Sequence, residues 1–264
     1  MNTSWPSVAQ VVAITMIALL PMQASGESSC RASSGPATRP LVELYTSEGC
    51  DSCPPADRWL SATLADAASP ANALAFHVDY WDRLGWKDRF ASAEFTERQR
   101  RAANANRAGF VYTPQVLLQG HDLQDWQNGG AAAAEAAARA PARATIALDA
   151  TGSSDTIAVS VDVQIADASS RADARVLVAY ADSRLSSDVK AGENQGKRLL
   201  HDHVVRALRA TGGPDPQGHI HATFDLAKPR EAGTAPTVVA FVQRTSNGDV
   251  LQALVLPLDR CGAS

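Results

Sequence analysis

The chain has 264 residues, 45% of them hydrophobic, the make-up of a globular protein long enough for two ordinary domains or one large one. Its 24 basic and 28 acidic side chains leave a net charge of −4, so there is no basic footprint for nucleic acid. Beyond an apolar run near the amino terminus, no stretch is apolar for long enough to cross a membrane.

That run, Val11 to Met22, is too short for a bilayer span and is followed by Gln23-Ala24-Ser25-Gly26. It reads as a secretory signal peptide over residues 1–26, cut near Ala24 or Gly26. No Lys or Arg precedes it, so an uncleaved anchor is the alternative, and Glu27-Ser28-Ser29 before Cys30 is a poor context for lipid attachment. The product is expected to be periplasmic or secreted, with no membrane span after cleavage. Disulfides persist outside the reducing cytosol. Cys30 and Cys261 lie near opposite ends of the chain, and chain termini often lie close together, so a Cys30–Cys261 disulfide is expected. Two free or separately paired thiols are the alternative.

Leu41–Thr46 reads as a short buried strand, and Pro54-Pro55 suits the first turn of a helix. Trp59, Leu60, Leu64 and Ala68 continue at helical spacing. Leu74–Tyr80 is a second strand, and residues 81–88 form a loop with Trp81 and Trp86. Thr96-Glu97-Arg98-Gln99 is a capping-box pattern and Gly109 a stop, bracketing a helix. A strand over Val116–Leu118 and a helix over Asn128–Ala140, closed by Pro141, follow. After Pro141 the period changes. Ile157, Val159, Val161, Val163 and Ile165 share one face of a half-buried strand. Segments 174–180, 219–226, 237–244 and 249–256 look similar, with Asn247-Gly248 as a hairpin turn. Residues 192–208 fit a helix or a strand, and their β surroundings favour the strand. A boundary is placed near Pro141, separating residues 38–141 from residues 142–261, the second part being an antiparallel β-sandwich.

The chemistry is expected at Cys50-Asp51-Ser52-Cys53, between the first strand and the first helix. A helix N-terminus offers unpaired N–H groups and about half a positive charge, which stabilises a thiolate. Cys50 is the candidate attacking thiol, on the exposed side of the turn, and Cys53 the resolving thiol. Asp51 opposes ionisation of its neighbour, and Pro54 and Pro55 remove two N–H donors from the helix start. The Cys50 pKa is therefore expected to be moderately depressed, with a reducing or isomerising poise. A fixed structural disulfide and half of a metal site are the alternatives. His201-Asp202-His203 and His219-Ile220-His221 are two further candidates. On adjoining strands, His201, His203, His219 and His221 would meet in a copper or zinc site; solvated strand faces are the plainer reading. Trp81 and Trp86 are expected either beside the thiols or in the core, and His77 and Asp79 share one strand face.

Strand, CxxC, helix, strand, helix, Thr-Pro, strand, helix over residues 41–140 resembles the thioredoxin-like order. That resemblance implies a cis proline at Pro114 facing the cysteines, with Thr113 before it offering backbone hydrogen bonds to a substrate chain. It also makes Glu43 a candidate general base, although shifted by one position onto the opposite strand face, where pairing with a buried cation is the alternative. At finer grain, residues 42–57 and the runs His77-Val78-Asp79-Tyr80-Trp81-Asp82, Leu84-Gly85-Trp86-Lys87-Asp88, Tyr112-Thr113-Pro114-Gln115 and Gly192-Glu193-Asn194 resemble a secreted bacterial family of unknown function. The fold so implied is an α/β thioredoxin-like domain, a mixed sheet flanked by helices, followed by an all-β sandwich-like domain. The implied function is thiol–disulfide exchange with protein or peptide thiols and disulfides, needing no cofactor. A copper- or zinc-handling module and a non-catalytic secreted binding protein are the alternatives.

Overall fold

The computed structural model describes residues 1–2, 28–64, 69–231, 233–259 and 261. The expected signal peptide, apart from its first two residues, and the continuation of the first helix to Ala68 lie outside them. Among the described residues no helix is long and apolar enough to cross a membrane.

The expected first strand forms as β2 (Leu41–Thr46) and runs into α1 (Pro54–Leu64) through the cysteine turn. β1 (Ser28–Ser33) precedes it. β3 (Asn72–His77) lies parallel to β2, and both are buried along their whole length. A helix, α2 (Ala93–Ala105), starts three residues before the expected capping box. Ser92 is its N-cap, accepting from the Glu94 N–H, while the Thr96 hydroxyl donates to Asp79 at 2.6 Å. The helix stops at an Asn106 cap, before Gly109. β4 (Gln115–Leu118) and β5 (His121–Asp122) follow, then α3 (Trp126–Ala138). α3 can approach α1 closely because Gly130 has no side chain: a Cβ there would stand 2.5 Å from the Trp59 ring.

The rest of the chain is strand: β6 (Ala144–Gly152), β7 (Thr156–Ile165), β8 (Ala174–Ser183), β9 (Leu185–Asp188), β10 (Arg198–His201), β11 (Val204–Ala210), β12 (His219–Ala227), β13 (Thr234–Arg244) and β14 (Val250–Pro257). Residues 198–210 take the strand alternative, broken at His203, whose φ is +58°. β13 and β14 turn at Asn247-Gly248, where Gly248 has φ +81°.

The sheets correct the expected fold class. β14-β13-β8-β11-β3-β2-β4-β5 form one eight-stranded mixed sheet that runs through both halves of the chain. The join is β11 against β3, in parallel, with Val204 opposite Ala75 and the Ala75 N–H donating to the His203 carbonyl at 2.8 Å. The architecture is therefore mostly β, and a thioredoxin-like α/β domain followed by a separate all-β domain is not what forms. The physical reason is that β3 does not end the sheet: its free edge is taken by a strand from the later half. One face of this sheet carries α2, which packs Phe95 among Tyr45, Phe76, Ala179 and Phe241. The other face carries α1 and α3 over β2 and β4 at one end. At the other end it carries a second sheet, β1-β6-β7-β12, whose Ile157, Val159, Val161, Val163 and Ile165 stripe packs on Val176, Val178 and Val238.

Both disulfides are formed. Cys30–Cys261 ties the start of β1 to the end of the chain's described part, and Cys50–Cys53 closes the turn above α1. Two disulfides are consistent with a secreted protein.

Candidate functional site

After β2 the backbone folds over itself: the Cys50 N–H donates to the Ser47 carbonyl at 3.2 Å and the Cys53 N–H to the Cys50 carbonyl at 3.3 Å. The Cys50 and Cys53 Cα atoms stand 5.4 Å apart across the disulfide. Asp51 and Ser52 are exposed at the tip, yet both cysteines are 0% exposed. This corrects the expected exposed position of Cys50. The cover is the arm built from β9, β10 and the loop between them. Asn194, itself 0% exposed, donates through Nδ2 to the carbonyls of Glu48 and Cys50, both at 2.9 Å. Glu193 accepts from the Asp51 N–H at 3.1 Å, and Lys197 Nζ donates to Asn194 Oδ1 at 2.8 Å. Gly192 and Gly196, with φ +75° and +80°, bracket the covering residues. The Gly192-Glu193-Asn194 run, noticed in the sequence only through resemblance, thus sits across the cysteine turn.

On the other side stands the Thr113–Pro114 peptide, which is cis. β4 pairs Gln115 with Tyr45, so Pro114 and Thr113 lie alongside the residues that lead from β2 into the turn. Trp81 bridges the two: its indole N–H donates to Thr113 Oγ1 at 2.8 Å, and Gly49 lies close enough that a Cβ there would be 3.1 Å from the Trp81 Cβ. Trp86 takes the opposite flank, donating to Glu48 Oε2 at 2.7 Å and packing beside Gly192.

Below the turn is a buried cluster of ionisable groups: Glu48, Asp57, His77, Asp88 and His201 are all less than a tenth exposed. Asp57 lies one helical turn after Cys53, its N–H donating to the Cys53 carbonyl at 3.2 Å, and accepts from Thr46 Oγ1 at 3.2 Å. His201 stands 3.4 Å from Glu48 Oε1 and 3.9 Å from Asp57 Oδ1, charge contacts without a hydrogen bond. His77 pairs with Asp88 at 2.7 Å and packs edge-on against His201 with ring centroids 4.9 Å apart. Glu48 Oε1, His77 Nε2 and both His201 nitrogens have no hydrogen-bond partner.

Burial pulls the His201 pKa down, but the facing Asp57 and Glu48 carboxylates outweigh it and push it up to about 9. Burial likewise raises Asp88, and the His77 charge together with N–H donors from Glu48 and Phe90 leaves it below the ordinary value. The folded state thus binds the His201 proton more tightly than the unfolded chain, whose histidine titrates near about 6.5. The stabilisation is complete below that value and is lost as pH rises through about 9. The unfolding midpoint of the wild type is expected to fall between these limits, and His201→Gln to flatten that fall; thermal melts against pH measure it.

The remaining sequence candidates lie elsewhere. Glu43 is 0% exposed on the α2 face of the sheet and is held by Arg98, 2.7 Å away, with the Tyr45 hydroxyl donating at 3.2 Å. It has the buried cation, and it faces away from α1. His203 follows the bend after β10, while His219 and His221 sit exposed on β12 in the other sheet, His221 paired with Asp162 at 2.7 Å. The four imidazoles are not brought together, and among the described residues no three His, Cys, Asp or Glu side chains are arranged to hold a metal ion. Sequence reasoning passed over Glu48, Asp57 and Asn194 as site residues. Asp57 alone had a readable signal, its four-residue spacing from Cys53 on a helix.

Comparison with known proteins places the chain among others of undetermined role. A family model described as "Protein of unknown function (DUF1223)" matches residues 41–243. A crystal structure of a protein from Agrobacterium tumefaciens, a structural-genomics target, is 26% identical with a TM-score of 0.62, over 85% of this chain and 96% of that one. HBP35 of Porphyromonas gingivalis gives the same TM-score, 0.62, at 13% identity, over 85% of this chain and 76% of that one, a likeness of fold alone. No curated protein matches.

Proposed function

The chain belongs to the DUF1223 family of proteins of unknown function, and we propose that it is an exported thiol–disulfide exchange protein acting through Cys50 and Cys53. One observation carries this reading: the Cys50–Cys53 bond is shielded by a hydrogen-bonded arm, Glu193-Asn194, rather than locked into an apolar core. Chain entropy argues the same way. A disulfide between residues three apart constrains the unfolded chain by only roughly 2 kcal/mol, whereas the Cys30–Cys261 bond, 231 residues apart, is worth on the order of 5. The staple is at the termini; the bond in the turn has little to staple.

In the proposed reaction the arm lifts and a partner thiolate attacks Cys50 Sγ. The Cys50–Cys53 bond breaks, and its electron pair leaves on Cys53 Sγ, which takes a proton. The partner's second thiolate then attacks the partner sulfur of the mixed disulfide and releases Cys50 as a thiolate. The partner is oxidised to a disulfide and the pair is reduced; the reverse sequence reduces a partner disulfide. Asp57, one turn along the helix from Cys53 and backed by His201, is the buried group set to exchange the Cys53 proton. Thr113, beside the turn, offers its backbone to an incoming peptide. Asp51 and the two prolines keep the Cys50 thiolate only modestly stabilised, which favours a reducing or isomerising poise.

The test is the reduction potential of the Cys50–Cys53 pair, read together with a disulfide-reductase assay on wild type and Cys50→Ser, the terminal disulfide being left intact. Exchange is expected in the wild type and absent in the variant, with a potential in the span of about −270 to −180 mV. A potential below about −300 mV with no turnover is the signature of a fixed structural bond and would overturn the reading.

A further inference from the structure

The face of the large sheet opposite α1 holds a cleft that the exchange reading does not use. α2 is too short to cover that face, and between its second half and strands β8, β11 and β13 a cavity of about 300 Å³ stays open. Four arginines border it: Arg98 and Arg101 from α2, Arg175 from β8 and Arg244 from β13. Two are already neutralised, Arg98 by Glu43 at 2.7 Å and Arg244 by Asp173 at 3.0 Å. Among the described residues, Arg101 and Arg175 have no carboxylate partner within ion-pair distance. The cleft therefore carries about two uncompensated positive charges in a chain whose net charge is −4. The carbonyl end of α2 opposes an anion with only about half a charge. Ala102, Ala105, Leu177 and Ala210 supply an apolar wall, with Thr245 and Gln243 as the polar remainder, the Gln243 amide being already engaged by Arg98 and the Gly248 carbonyl.

We propose that this cleft binds a small organic carboxylate, its head between the Arg101 and Arg175 guanidinium groups and its hydrocarbon body along Leu177 and the alanines. Guanidinium groups bind carboxylates through paired N–H donors; Arg175 spends one donor on the Ala174 carbonyl at 2.8 Å and keeps the others for an anion. The volume is at the small end of ligand pockets, about 300–1,000 Å³, so the body is short. The site shares no residue with the cysteine turn or its cover, and it stands whether or not exchange occurs.

Calorimetric titration of the oxidised full-length protein tests it with three probes: octanoate, inorganic phosphate and octylammonium. Octanoate is expected to bind more tightly than phosphate, and octylammonium not to bind. Arg101→Ala, at an exposed position that leaves folding intact, is expected to weaken octanoate roughly tenfold, and Arg101→Ala with Arg175→Ala roughly a hundredfold. Phosphate binding as tight as octanoate would remove the apolar half of the proposal. Absence of octanoate binding, octylammonium binding equally, or an Arg101→Ala affinity equal to wild type would each overturn it.

Discussion

Replacing Asn194 by alanine is expected to speed reduction of the Cys50–Cys53 disulfide by a small thiol roughly thirtyfold. Neither cysteine is exposed, so a reagent reaches the sulfur only when the arm has lifted. The two hydrogen bonds from Asn194 to the Glu48 and Cys50 carbonyls are broken in that step. At about 1 kcal/mol net for each, their loss raises the open population by the same factor as it raises the rate. Glu193→Ala removes a single contact at an exposed position and is expected to give a several-fold increase at most. Quenched alkylation during reduction follows both, and the terminal disulfide serves as the internal reference. An Asn194→Ala rate equal to wild type would mean that the sulfurs are reached by another route.

The second large effect lies at Arg98. Arg98→Leu strands Glu43 in the interior without its cation and is expected to cost about 3–5 kcal/mol, read as a lower urea midpoint. The loss extends beyond the ion pair, because the guanidinium also donates to Gln243 and lies over the rings of Phe76 and Phe241. Adding Glu43→Leu removes the stranded charge and is expected to restore much of the stability. The double variant also separates two roles for Glu43. A structural carboxylate predicts undiminished exchange at Cys50, whereas a general base predicts its loss. On the α2 face of the sheet, held by Arg98 and Tyr45, Glu43 is placed for the first.

Apart from the Cys30–Cys261 disulfide, argued from the nearness of chain termini, what could be read in advance was whatever lies within one or two elements of chain. The cysteine turn, its helix, the alternating stripe from Ile157 to Ile165 and the Asn247-Gly248 hairpin all rest on neighbouring residues and formed as their spacing implies. The cover over Cys50 did not announce itself, because Asn194 stands 144 residues away and binds backbone carbonyls, which every residue has. Arg98 had the same invisibility: 55 residues separate it from Glu43, and nothing in an amphipathic helix marks which charge turns inward. The fold class failed at one seam. Periodicity identifies β3 and β11 as strands, yet it is silent on which strand neighbours which, and the parallel join of Val204 to Ala75 is what fuses the two halves. His201 and His203 alternate as on a strand, but the positive φ at His203 ends the alternation and leaves His201 under the turn.

That seam has a practical meaning for anyone wishing to cut the molecule down. A fragment ending near Pro141 keeps Cys50 and Cys53 but loses Cys261 and β11, leaving Cys30 without its partner and β3 with an unpaired row of amide and carbonyl groups ready to recruit another chain. It loses Asn194 too, and with it the roof over the sulfurs. Such a piece would be stickier and more readily reduced than the whole, and its behaviour would misrepresent the parent.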